Sequence, residues 1–185
     1  MVTFAHHIRW LNIAVITLVA LAGAARAARA QDVTVTFPQG WTVTNLPATS
    51  ADGQKVAGGT SRAILSTPTG RRLAAIELTR ELQPSGSMRD LQEAAKQMQA
   101  GAGDVYSKAG LALSCLPARP IQVAGAGGLD IQCDATRDGQ ALVRQRIVMW
   151  SKPGVLASLS YTSAAPEFAA HLDTFDQTLA SVTAD

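Results

Sequence analysis

Few side chains in this sequence could do chemistry, and each carries a plain structural reading beside the functional one. Its three histidines are His6, His7 and His171, and the first two sit in an N-terminal stretch with the marks of a leader. A catalytic triad or a zinc site needs histidine with partners at set spacings. His171 has none, and neither G-x-S-x-G nor H-E-x-x-H occurs. It is expected at the boundary of a closing helix. Glu77 and Glu81 stand four residues apart on one side of an alternating segment. Two carboxylates held in a cleft could do acid–base work. Beside Arg72 and Arg80 they read instead as outward-facing solvated charges. Arg144 and Arg146 repeat with period two and could grip a carboxylate or phosphate, or simply line a wet sheet face. Trp41 and Trp150 could wall a pocket or fill core.

Two glycine-rich runs fail as phosphate cradles. Gly101-Ala102-Gly103-Asp104-Val105-Tyr106 ends in tyrosine where G-x-G-x-x-G needs its last glycine, and it follows a helical pattern rather than a strand. Gly125-Ala126-Gly127-Gly128-Leu129-Asp130 fails at the same position and leads into a strand. Both read as turns. The two cysteines, Cys115 and Cys133, lack C-x-x-C spacing and have no further thiol or imidazole ligands. A structural disulfide is the expectation, and neither metal nor cofactor is called for.

That expectation depends on compartment. Residues 1–30 combine a basic start (His6, His7, Arg9), an apolar run from Leu11 to about Ala24, and a small-residue exit ending Ala28-Arg29-Ala30. These are the parts of a cleavable secretory signal, and the run is shorter than the roughly 20 residues of a spanning helix. The mature chain is then expected to be one globular domain, residues 31–185, periplasmic or secreted and free of the membrane. The full chain carries 16 basic and 14 acidic residues. The leader holds three arginines and no acid, so the remainder has 13 basic residues against 14 acidic, a net charge of −1. With no basic run, it has no footprint for nucleic acid.

Periodicity then supplies the elements. Val33 to Phe37 and Trp41 to Thr44 alternate as strands about the turn Pro38-Gln39-Gly40, and residues 47–59 have loop composition. Ala63 to Ser66 is a short strand, with Thr67-Pro68-Thr69-Gly70 as a hairpin turn. In Leu73 to Leu82 the even positions form the better core face. A capping box from Ser87 to Asp90 starts a helix, whose apolar positions are Leu91, Ala94, Ala95 and Met98 and whose end is Gly101-Ala102-Gly103. The second half reads as a β-meander with strands at 110–115, 120–123, 128–135, 141–150 and 154–162. Asp138-Gly139 and Pro153-Gly154 are its turns. Pro166 opens a last helix, with Phe168, Leu172, Phe175, Leu179 and Val182 along one seam. The sum is an α+β fold, a mostly antiparallel sheet with helices packed on it.

Phe37-Pro38-Gln39-Gly40-Trp41 resembles the F-x-P-x-G-W style opening of PsbP/Mog-type domains, with the spacer shortened. The passage Ile121 to Gly128, the segment Gly128-Leu129-Asp130-Ile131-Gln132-Cys133 and the later Met149-Trp150 are similar to secreted proteobacterial proteins of that type. The resemblance spans most of residues 33–182. It implies an α/β/α sandwich and a binding or adaptor role, as in photosystem assembly subunits, small-GTPase binders and secretion chaperones. It brings no shared catalytic residues, and the cysteine pair departs from the wider fold. The expected function is thus a non-catalytic exported binding or adaptor domain for a protein partner or small ligand. Its possible contacts are Arg144, Arg146, Trp41 and Trp150. The alternatives are a periplasmic hydrolase using carboxylates or His171, and a structural envelope-stability protein.

Overall fold

The strands follow from alternation and from turns whose backbone requirements the local residues meet. A computed structural model describes residues 33–49, 55–83 and 87–184. In chain order the elements are β1 (Val33–Thr34), β2 (Thr42–Thr49), β3 (Lys55–Ser66), β4 (Arg72–Leu82), α1 (Leu91–Lys108), β5 (Ala112–Cys115), β6 (Arg119–Val123), β7 (Ala126–Arg137), β8 (Gln140–Lys152) and β9 (Val155–Ala164). A 3-10 segment (Ala165–His171), α2 (Leu172–Ala180) and β10 (Thr183–Ala184) complete the chain.

Eight strands form one antiparallel sheet in the order β2-β3-β4-β9-β8-β7-β5, with β6 also on β7. The expected meander holds for β7-β8-β9. Contrary to a simple meander, β5 and β6 do not pair with each other; they lie end to end along β7. Pro117, between them, cannot continue a ladder. The Asp138-Gly139 turn has φ of 51° and 76°, the left-handed pair that a two-residue hairpin demands. At Gly128 the reason for glycine is steric, since a Cβ there would lie 2.7 Å from the Met149 carbonyl oxygen.

Each face of the sheet is covered by a helix, giving three layers. Even positions of β4 (Ala74, Ile76, Leu78) pack with Val148 and Trp150 of β8, Leu159 and Tyr161 of β9, and Phe168 and Phe175 of the closing helical segment. The even face of β4 is thus the core face, as the alternation implied. The far face carries Leu129, Ile131, Cys133, Met149 and Leu156 against Ala94 and Ala95 of α1. Burying each large aliphatic side chain contributes about 1.5–3 kcal/mol. Val33 is buried in the α2-side cluster, where β1 pairs with β10 as a separate two-stranded ribbon.

Several boundaries differ from the sequence reading. The alternating run Val33 to Phe37 is a strand only over Val33–Thr34; Val35 and Phe37 pack on the core as irregular backbone. The loop expected over 47–59 is largely strand, since β2 runs to Thr49 and β3 starts at Lys55; residues 50–54 lie outside the described residues. Cross-strand pairing outweighs the weak strand propensity of the glycines and alanines there. The capping residue of α1 is Asp90, not Ser87. Its carboxylate accepts from the Gln92 and Glu93 amides at 2.8 and 3.2 Å. The helix passes through Gly101 and Gly103 and stops only at Ala109–Gly110, where the Leu111 amide donates back to the Tyr106 carbonyl at 2.9 Å. Two interior glycines cost about 2 kcal/mol together, and further burial along the helix, down to Tyr106, offsets that.

Cys115 and Cys133 face each other in register across β5 and β7 and are disulfide-bonded, Cα to Cα 4.0 Å. Their 18-residue separation makes the bond worth about 3 kcal/mol by restricting the unfolded chain. It also pins the short edge strand β5 to the sheet.

Candidate functional site

The two arginines on β8 point to the α2 side of the sheet, where each meets carboxylates of this same chain. Arg144 makes a bidentate pair with Asp134, directly opposite on β7, at 2.7 and 2.9 Å. Arg146 reaches diagonally to Asp130 with bonds of 3.0 and 3.2 Å and spends its third nitrogen on Asp176 of α2 at 2.7 Å. Both guanidiniums also lie over rings of the closing segment, Arg144 over Phe168 at 5.6 Å and Arg146 over Phe175 at 5.2 Å. Burial works against the charge on Arg146, but its hydrogen bonds to Asp130 and Asp176 outweigh it, and the group is held protonated beyond its ordinary range. The Asp134 hydrogen bonds raise Arg144 in the same direction. The grip on carboxylates read from the sequence is therefore satisfied internally, and it clamps α2 to the sheet.

The two tryptophans belong to that same core. Trp150 is fully buried, and its indole N–H has no acceptor among the described residues. Trp41 is half-buried at the edge of the cluster, edge-on to His171 with centroids 6.1 Å apart. His171 is thus the boundary residue the sequence suggested. Tyr161, between Phe168 and Phe175, donates to the Phe168 carbonyl at 2.8 Å. Burial raises its phenol above 10. That shift stabilises the fold below pH 10, and the contribution is lost as pH climbs through the raised folded value. Urea unfolding followed from pH 8 to 11 is expected to show this loss. Tyr161→Phe should shrink it, leaving the share of Tyr106, whose phenol burial also raises, at a cost of about 1–2 kcal/mol at neutral pH from the orphaned carbonyl.

Glu77 departs from expectation. It faces the α1 side but is only 6% exposed, not a solvated charge. It ion-pairs with Arg62, its direct neighbour on β3, and its Oε1 has no partner among the described residues. Glu81 pairs with Arg89 at 3.0 Å. The two glutamates therefore serve different cations and do not converge, and His171 lies in the opposite layer. Among the described residues no cluster of three or more His, Cys, Asp or Glu could hold a metal.

What the sequence did not single out is an open groove of about 750 Å³, where α1 begins beside the β6–β7 and β8–β9 turns. Met88, Leu91, Leu129 and Pro153 line it, with the backbone of residues 125–128. Met88 is 64% exposed. The charged groups at its rim are already engaged. Asp90 caps α1, Arg89 bridges Glu81 and Gln97, and the Lys152 ammonium donates to the Ala184 carbonyl at 2.7 Å. The sequence signal was indirect: two turn-forming stretches, 124–128 and 153–154, apart in the chain.

Among the described residues no helix is long and apolar enough to cross a membrane. No curated protein matches the chain. The solution structure of a cyanobacterial PsbP from Synechocystis sp. PCC 6803 is similar in fold, with a TM-score of 0.58 at 10% identity, over 89% of this chain and 99% of that one. A crystal structure from Bacteroides thetaiotaomicron has a TM-score of 0.51 at 9% identity over 83% of this chain, which spans 45% of that protein. At such identities the likeness is one of fold, and the PsbP-like architecture expected from the Phe37–Trp41 opening is the one found. The family described as a domain of unknown function (DUF4946) matches residues 32–183, and the chain, PsbP-like in fold, belongs to it.

Proposed function

We propose that this chain is an exported, non-catalytic binding module that takes a segment of a partner protein into the groove at Met88. The observation that carries this reading is the state of the groove. Met88, Pro153 and the turn backbone are accessible, while its charged groups are used up holding the fold. Such a surface suits an extended or apolar peptide segment, which needs van der Waals contact and backbone hydrogen bonds rather than ionic pairing. Export rests on the leader-like residues 1–30, and the disulfide is consistent with an oxidising compartment. A hydrolase reading draws no support from carboxylates and a histidine that do not face one another.

The test is a photo-crosslinking residue placed at position 88 in the native host. One dominant adduct is expected, absent when the same probe replaces Leu116, which is equally exposed but outside this groove. No adduct at position 88, or the same adducts at both positions, would overturn the reading. If a deletion strain then showed only envelope fragility, the structural alternative would take its place.

A further inference from the structure

The two edges of the sheet are built differently. On one side β5 and β6 are short, separated by Pro117, and carry Arg119 and Pro120. Short strands, prolines and charge are the usual guards against edge-to-edge pairing. The opposite edge, β2, has none of these over Thr42-Val43-Thr44-Asn45-Leu46. That stretch has no charged residue, and its side chains are exposed. Val43 and Leu46, 45% and 46% exposed, are two of the four exposed large apolar side chains among the described residues. They point to opposite faces, so no single covering layer could bury both.

We propose that β2 is a self-association edge, pairing antiparallel with β2 of a second copy about a two-fold axis through Thr44. The window is bounded at both ends. The Gln39–Gly40 turn precedes it, and Pro47, followed by a register shift, ends it. Only one antiparallel register uses all five residues and keeps the two copies' faces aligned. It sets Thr44 against Thr44, Val43 against Asn45, and Thr42 against Leu46. The two valines become diagonal neighbours on one face, and each leucine packs against threonines on the other. A neutral strand meets no like charge in its own copy. Arg62, across from Thr44 on β3, is held by Glu77. The result is an isologous dimer with a continuous sheet of sixteen strands, twice the eight of one copy.

The measurement is sedimentation velocity of the protein as its host produces it, across a hundredfold concentration range. A shift from monomer to dimer mass is expected. Thr44→Lys places two ammonium groups opposite each other at the axis and should weaken association several-fold, and Thr44→Glu should do the same. Because position 44 is exposed, both variants should fold, and an equimolar mixture should dimerise again. A wild-type chain that stays monomeric throughout, or a Thr44→Lys variant that associates as well as wild type, would overturn the proposal. Monomeric protein that still forms the Met88 adduct would leave the groove reading standing while this one fell.

Discussion

Arg146→Met is expected to cost about 3–5 kcal/mol of folding stability, read by urea unfolding at neutral pH. The loss comes less from the pair itself than from what the substitution strands. Asp130 is buried, its side chain only 8% exposed, and Arg146 supplies two of its hydrogen bonds. The remaining cation, Arg119, is 3.4 Å away on a side chain that is 74% exposed, and so gives little compensation. Asp176 would also lose its bond to the sheet, and Phe175 the cation over its ring. If the penalty is the orphaned carboxylate, adding Asp130→Leu to Arg146→Met should restore most of the stability, because a buried ion pair replaced by apolar groups is often neutral. A single-variant loss below about 1 kcal/mol would mean that the arginine is not the clamp described here.

Trp150→Ala should destabilise by a similar amount, about 3–5 kcal/mol, through the cavity left at the centre of the α2-side core. The side chain is fully buried within the cluster that includes Val33, Val123 and Val182. It therefore joins the sheet to the β1–β10 ribbon and its flanks. Trp150→Phe makes a sharper test. The indole N–H has no acceptor among the described residues, so deleting it removes a buried unsatisfied donor and offsets part of the lost packing. The phenylalanine variant should lose well under half of what the alanine variant loses, in calorimetry or denaturant melts. Equal losses would show that the indole nitrogen is bonded in solution and that Trp150 does more than fill space.

These two residues also show where sequence reasoning stops. Alternation placed Arg144 and Arg146 on one side of a strand, and that is where they are; the structure adds Trp150 to the same side. It read that side as a wet face or a grip for a ligand, whereas the closing segment covers it and Arg146 is only 16% exposed. Their partners sit 10, 16 and 30 residues away. Which carboxylate meets which guanidinium depends on sheet order and helix placement. The same gap explains Glu77. Its position facing away from the α2-side core was right, but its burial and its pairing with Arg62 needed the β3–β4 register.

Taken alone, the amino-acid order determined what is short-range: the β7-β8-β9 hairpins, the core face of β4, the apolar seam of the closing helix, and the pairing of the only two cysteines. Each follows from side-chain period or turn chemistry within about ten residues, or from the lack of any other partner. The tertiary structure alone decided the length of α1, the joint use of β7 by β5 and β6, the engagement of both arginines, the groove at Met88 and the unguarded edge at β2. All of these depend on contacts between segments far apart in the chain. A glycine is tolerated in α1 when the helix beyond it has surface to bury. A groove exists only where two distant turns are brought beside one helix start.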